Sequence, residues 1–267
     1  MTIKIKNEQM LTMSNLIFDR FIDEVASYCD IEYPNLSKQH GEEQLKKNLK
    51  TLIEQGIDYG FTIRGSCRYY IDLSFIFGTG FATDPQYTWI LDTYKKDEKI
   101  PEIERVDTLW ATVNRYLKDI TGENGAYDLA AIQAIENLNF DLFHAQTDHF
   151  DSLLMDILQR TYQGKAPYMS TQALVAFVQY GLNKSKNEYA LEDKLSCSLF
   201  VLLMYFYGHE FDRDPLLGFD LKNASLSHHE NTTNTYTLSS TQKPLYALLR
   251  QWPRLKVYYR EYEKENQ

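Results

Sequence analysis

The chain has 267 residues and a formal net charge of −9, with 43% hydrophobic, 24% charged and 14% aromatic residues, the balance of a globular protein of one large domain or two of ordinary size. No Lys/Arg block is dense enough to neutralise a phosphate backbone, which argues against nucleic-acid binding, and the longest unbroken apolar run, Leu199–Tyr207, has nine residues where a membrane-spanning helix needs roughly 20. Cys29, Cys67 and Cys197 are too few and too scattered for a disulfide framework or a zinc site, and MTIKIKNEQM at the N-terminus has no apolar signal segment, so the expected place of work is a reducing cytoplasm.

Residues 8–29 place Leu11, Ile17, Phe18, Phe21, Ile22, Val25 and Tyr28 at the spacing of a one-sided helix. Asn35–Ser37 then reads as a turn. Residues 42–56 carry Leu45, Leu49, Leu52 and Ile53 on one stripe, with Gly56 placed to close the helix. Residues 64–77 are apolar on almost every side, which predicts a central, buried helix stopped by Gly78. Thr83-Asp84-Pro85 follows; Asp is a preferred N-cap and Pro a preferred first helical residue, so Asp84 is expected to start the next helix. Residues 103–119, with Val106, Leu109, Trp110, Val113 and Leu117, predict another amphipathic helix, and TGENGAYD at 121–128 is the best internal boundary.

The plan then repeats. SCRYYIDLSFIFGTGFATDP at 66–85 matches SCSLFVLLMYFYGHEFDRDP at 196–215 without a gap, with seven of twenty positions identical. Upstream, FDRFIDEVASY at 18–28 resembles FDSLLMDILQR at 150–160; downstream, TLWATV at 108–113 resembles PLYALL at 244–249. Three matches in one order argue for duplication. The expectation is an all-α fold of two tandem helical units packed about a pseudo-twofold, residues 1–125 and 126–267, with a polar loop inserted at 223–240. The first 130 residues hold 15 Lys/Arg against 21 Asp/Glu, a balance of −6, and the remainder 13 against 16, a balance of −3.

Candidate chemistry is sparse. Asp212 and Asp214 of FDRDP form a carboxylate pair of the kind that serves acid–base work or holds a divalent cation. The first copy has Ala82 in place of Asp212, so capping accounts for the shared aspartate more simply. His209 and Glu210 stand where the first copy has Thr79 and Gly80, and read as a polar surface turn. HHE at 228–230 lacks the rigid third or fourth ligand of a specific metal site. Cys67 and Cys197 sit near the start of the apolar helices, the usual place of a small buried thiol. No dinucleotide fingerprint, P-loop or nucleophile elbow is present, and neither a cofactor nor a catalytic residue is assigned. The aromatic surplus around Phe81, Tyr87, Trp89 and Phe211 reads as core, with a grooved contact surface between the copies as the second reading.

The stretch YGFTIRGSCRYYIDLSFIFGTGFATDPQYTWIL at 59–91 resembles an uncharacterised all-helical family associated with bacterial type VI secretion gene clusters, often beside spike, PAAR or effector genes. The matching residues are Tyr59-Gly60, Arg64, Cys67, Tyr70-Ile71-Asp72-Leu73, Gly78, Phe81, Asp84-Pro85-Gln86 and Trp89. Ala82 and Thr88 depart from that pattern, which often has Asp and Pro there, and the second copy lacks the Gln and Trp. The resemblance implies a protein partner: a toxin effector held by an immunity protein, or an effector or spike-associated protein carried by an adaptor or chaperone. An acidic chain suits a basic partner. The expected contact set is Phe81, Asp84, Gln86, Tyr87, Trp89, His209, Glu210, Phe211, Asp212 and Asp214. The reading from a different class is an enzyme or effector using Asp212 and Asp214.

Overall fold

The computed structural model describes residues 7–144, 149–219, 221 and 238–252, the side chains of 7–15, 35–37 and 144 excepted. The inserted loop lies almost wholly outside the described residues, as does HHE at 228–230. Among the described residues the fold is all-α, with no strand. In chain order the helices are α1 (Asn7–Glu32), α2 (Pro34–His40), α3 (Glu42–Asp58), α4 (Arg64–Phe77), α5 (Thr88–Lys95), α6 (Glu102–Thr121), α7 (Ala126–Glu136), α8 (Asp141–His144), α9 (Phe150–Thr161), α10 (Thr171–Tyr189), α11 (Lys194–Tyr207) and α12 (242–252). Among these residues no helix is long and apolar enough to cross a membrane.

The apolar stripe of α3 is buried, whereas Ile17 of the stripe predicted for α1 is 58% exposed. Leu45, Leu49, Leu52 and Ile53 of α3 are buried, and α3 packs on α4 as α10 packs on α11. Every residue of α11 from Leu195 to Tyr207 is buried, so the second apolar helix is the central one. α4 leaves Arg68 exposed and Tyr69, Asp72 and Phe75 half-buried. One apolar core runs from Phe61 and Tyr70 through the whole of α11 to Trp252 of α12; a smaller cluster gathers α1, α3, Cys67, Ile71 and Leu216.

Four expectations are corrected. Residues 35–37 belong to α2, which begins at Pro34, a residue whose fixed φ suits a first helical turn. Gly56 lies within α3, not at its end; it is buried where an added Cβ would stand 3.0 Å from the Tyr70 ring, so it allows α4 to approach. Trp110, placed with the core stripe of α6, is 57% exposed. It follows the fully buried Leu109 by one residue, a rotation of roughly 100° about the helix axis. Neither Asp84 nor Asp214 starts a helix. Asp84 closes a 3-10 turn at Phe81–Thr83 and α5 begins at Thr88; Asp214 closes the 3-10 turn Phe211–Arg213 and is followed by a turn at 215–218.

Carboxylates hold the starts of both apolar helices. At α4 the Glu102 carboxylate, reaching from α6, accepts from the N–H groups of Thr62 (2.7 Å) and Ile63 (3.2 Å) and from the hydroxyls of Thr62 and Ser66. Burial pushes this carboxyl up, but the four donors outweigh it and hold its pKa at about 2. At α11 the N-cap Asp193 accepts from Ser196 N–H at 2.8 Å.

Asp72 behaves oppositely. Its Oδ1 accepts from the hydroxyls of Tyr28 (3.1 Å) and Tyr33 (3.4 Å). Burial nevertheless raises its pKa from 3.8 to about 6, against the pull of those donors and of Arg68. A folded-state pKa above the unfolded one means that the native state binds the extra proton, so this group's contribution is full below pH 3.8 and is lost as pH rises through 6. Asp72→Asn is expected to flatten the pH dependence of stability between those values and to add about 1 kcal/mol at pH 7, read from urea unfolding at several pH values. An unchanged slope refutes the assignment.

Candidate functional site: a groove at the junction of the halves

Two glycine turns meet at the centre of the fold. Gly78 ends α4 with φ +94° and Gly208 ends α11 with φ +108°, backbone that side-chain-bearing residues rarely adopt. A Cβ on Gly208 would stand 2.7 Å from the Phe77 carbonyl oxygen, and one on Gly78 would strike that of Tyr207. Each glycine therefore admits the other turn as well as ending its own helix.

The aspartates then cross over. Asp84 Oδ1 accepts from Gln86 N–H and its Oδ2 from His209 N–H, both at 2.8 Å. Asp214 Oδ1 accepts from Leu216 N–H at 2.8 Å and its Oδ2 from Thr79 N–H at 3.1 Å. Each carboxylate steadies its own turn with one oxygen and takes the N–H after the opposite glycine with the other. The segments beyond are exchanged as well. The carbonyl of Pro215 accepts from Asn48 Nδ2 at 3.0 Å, and that of Leu216 lies 2.7 Å from His40 Nε2. On the other side, Gln86 Nε2 donates to the Met204 carbonyl at 3.2 Å. Buried Lys165 donates to Gln86 Oε1 (3.3 Å), Tyr87 OH (2.9 Å) and the Tyr205 carbonyl (2.5 Å), with the Tyr205 ring 4.9 Å from its ammonium.

Of the ten residues named from sequence, eight are buried: Phe81, Asp84, Gln86, Tyr87, His209, Phe211, Asp212 and Asp214. Trp89 is half-buried against Phe77 and Tyr116, and Glu210 is half-buried at a surface. The turn at His209 is thus not a surface turn. The imidazole is 7% exposed; its Nδ1 lies 3.5 Å from Asp84 Oδ2 and its Nε2 3.3 Å from Thr83 Oγ1. Asp212 and Asp214 do not converge on a common point. Asp212 Oδ1 pairs with buried Lys184 at 2.7 Å and its Oδ2 accepts from Tyr189 OH at 2.6 Å, so all four oxygens of the two carboxylates hold protein partners. The three thiols are buried, and burial raises their pKa values, to about 12 for Cys29 and about 11 for Cys67, away from the range of a reactive thiolate.

Beside this junction lies an open groove of about 490 Å³. It is lined by Thr51, Gln55, Asp58 and Tyr59 of α3 and its C-terminus, by Thr79, Gly80, Ala82 and Thr83 of the first turn, and by Glu210, Arg213 and Pro215 of the second half. Tyr59 and Tyr70, which also line it, stack with centroids 6.2 Å apart. The second half has larger residues at the positions 130 further on: His209, Glu210, Asp212 and Arg213 replace Thr79, Gly80, Ala82 and Thr83. Tyr189 there bonds Asp212, whereas Ala82 offers Tyr59 no such acceptor. The small residues of the first turn leave the space open. Of these lining residues only Glu210 was named from sequence as a contact; the others were missed, and the size difference between the two aligned turns was the signal for them.

The chain matches no protein-family model, no curated protein and no solved structure.

Proposed function

We propose that this chain is a non-enzymatic binding protein for a cognate type VI secretion toxin effector, acting as an immunity-type inhibitor in the cytoplasm of the producing cell. It is built as two tandem helical units, 1–125 and 126–267, about a pseudo-twofold. Support for the duplication comes from α4 and α11, from the two 3-10 turns and from the crossed aspartates, each pair offset by 130 residues. The observation that carries the binding role is the groove, lined by residues of both halves, Asp58 and Glu210 among them. An acidic chain of net charge −9 speeds encounter with a basic partner.

The test is co-expression with the toxin effector of the same gene cluster. Cells carrying both genes are expected to grow, with the two proteins co-purifying, while cells carrying the effector alone die. Death in both cases refutes the reading. Loss of effector export on deletion of this gene, without self-intoxication, replaces it with the adaptor role.

A further inference from the structure

We infer that the groove receives an arginine side chain of the protein partner, which pairs with Asp58 as Arg213 pairs with Glu188 in the second half; the inference rests on the binding-protein and duplicated-unit readings above. Adding 130 to the groove positions gives the argument. Asp58 corresponds to Glu188, Thr83 to Arg213, Tyr59 to Tyr189 and Tyr70 to Phe200. In the second half the Arg213 guanidinium bonds the Glu188 carboxylate, and the next residue, Tyr189, packs its ring 5.4 Å from that of Phe200. In the first half the aromatic pair and the acid are retained, but Thr83 removes the guanidinium. Asp58 is exposed and in no ion pair among the described residues.

The surroundings suit a cation. The Tyr59 ring already attracts an ammonium, Lys95 Nζ at 5.6 Å. The lining adds Glu210, whose contacts with Lys184 (3.6 Å), His209 Nε2 (3.6 Å) and Arg213 (4.0 Å) are all longer than a hydrogen bond and leave acceptor capacity. Arg213, the one arginine among the described residues that line the groove, is engaged by Glu188 and Glu210. An arginine is favoured over a lysine because its planar fork bonds a carboxylate with two donors while its face lies on an aromatic ring.

The test uses the full chain and a synthetic probe, acetyl-Ser-Arg-Ser-amide, with the citrulline peptide as its uncharged isostere, followed by backbone-amide NMR titration. Saturable shifts confined to residues 51–59, 79–83 and 210–215 are expected, with the citrulline peptide at least about fivefold weaker. Asp58→Asn is expected to weaken the arginine peptide about fivefold, and Thr83→Arg, which installs the missing guanidinium from within, to abolish the shifts. Both positions are exposed, and an unchanged thermal midpoint certifies that each variant folds. Shifts that do not saturate, do not distinguish arginine from citrulline, or survive both substitutions overturn the inference. The two readings separate cleanly. Protection against the effector that persists in Thr83→Arg removes the groove inference and keeps the binding role; peptide binding without protection does the reverse.

Discussion

Asp84→Ala is expected to lower folding stability by about 4 kcal/mol. The carboxylate is fully buried and accepts from Gln86 N–H, His209 N–H and Gln86 Nε2. Alanine leaves two buried backbone N–H groups unsatisfied, each costing about 1–3 kcal/mol, and one belongs to the opposite half. Were Asp84 a simple local cap, the loss would be about 1 kcal/mol. Asp84→Asn keeps an acceptor for Gln86 N–H but turns an amide group toward His209 N–H, so about half the loss is expected. Urea unfolding decides between these outcomes, and a lower slope together with a lower midpoint would show the halves unfolding apart. A loss of 1 kcal/mol or less in Asp84→Ala would return the residue to the status of a turn cap.

The second large effect concerns Lys184. Its ammonium is buried and meets Asp212 Oδ1 at 2.7 Å, Glu210 Oε1 at 3.6 Å and the His209 carbonyl at 3.4 Å. Lys184→Met leaves the Asp212 carboxylate buried beside an apolar chain, at an expected cost of about 3 kcal/mol. Combining it with Asp212→Leu removes the stranded charge, and the double variant is expected to recover to within about 1 kcal/mol of the parent. Tyr189, half-buried, then turns its hydroxyl to water. The first half makes the same comparison naturally: Ala82 stands at the position of Asp212 and Glu54, exposed, at that of Lys184. Equal losses in the single and double variants would show that packing, not the ion pair, is what Lys184 supplies.

Much of the helix plan was legible because it depends on neighbours in sequence. Apolar residues at i, i+3 and i+4 marked α1, α3 and α6, and the run from Arg64 to the glycine at 78 marked α4 to the residue. The same reasoning put Trp110 in the core, since a stripe read by composition tolerates one step of rotation that burial does not. It also made caps of Asp84 and Asp214, because capping is the commonest local use of an aspartate before proline. One oxygen of each does bond its own turn, but the partners of the other oxygens, His209 N–H and Thr79 N–H, lie 125 and 135 residues away, beyond anything periodicity reports.

Order, spacing and internal repetition along the chain were enough to establish an all-helical protein with two like turns, since helix formation and glycine termination are decided within a few residues. Which helix became central, how the aspartates crossed, and why one turn leaves a groove while the other closes over Lys184 and Asp212 depended on packing between distant segments. A burial or a hydrogen bond of that kind exists only once two surfaces meet, and beforehand the sequence marks it at most indirectly, as in the small residues of the first turn against the large ones of the second.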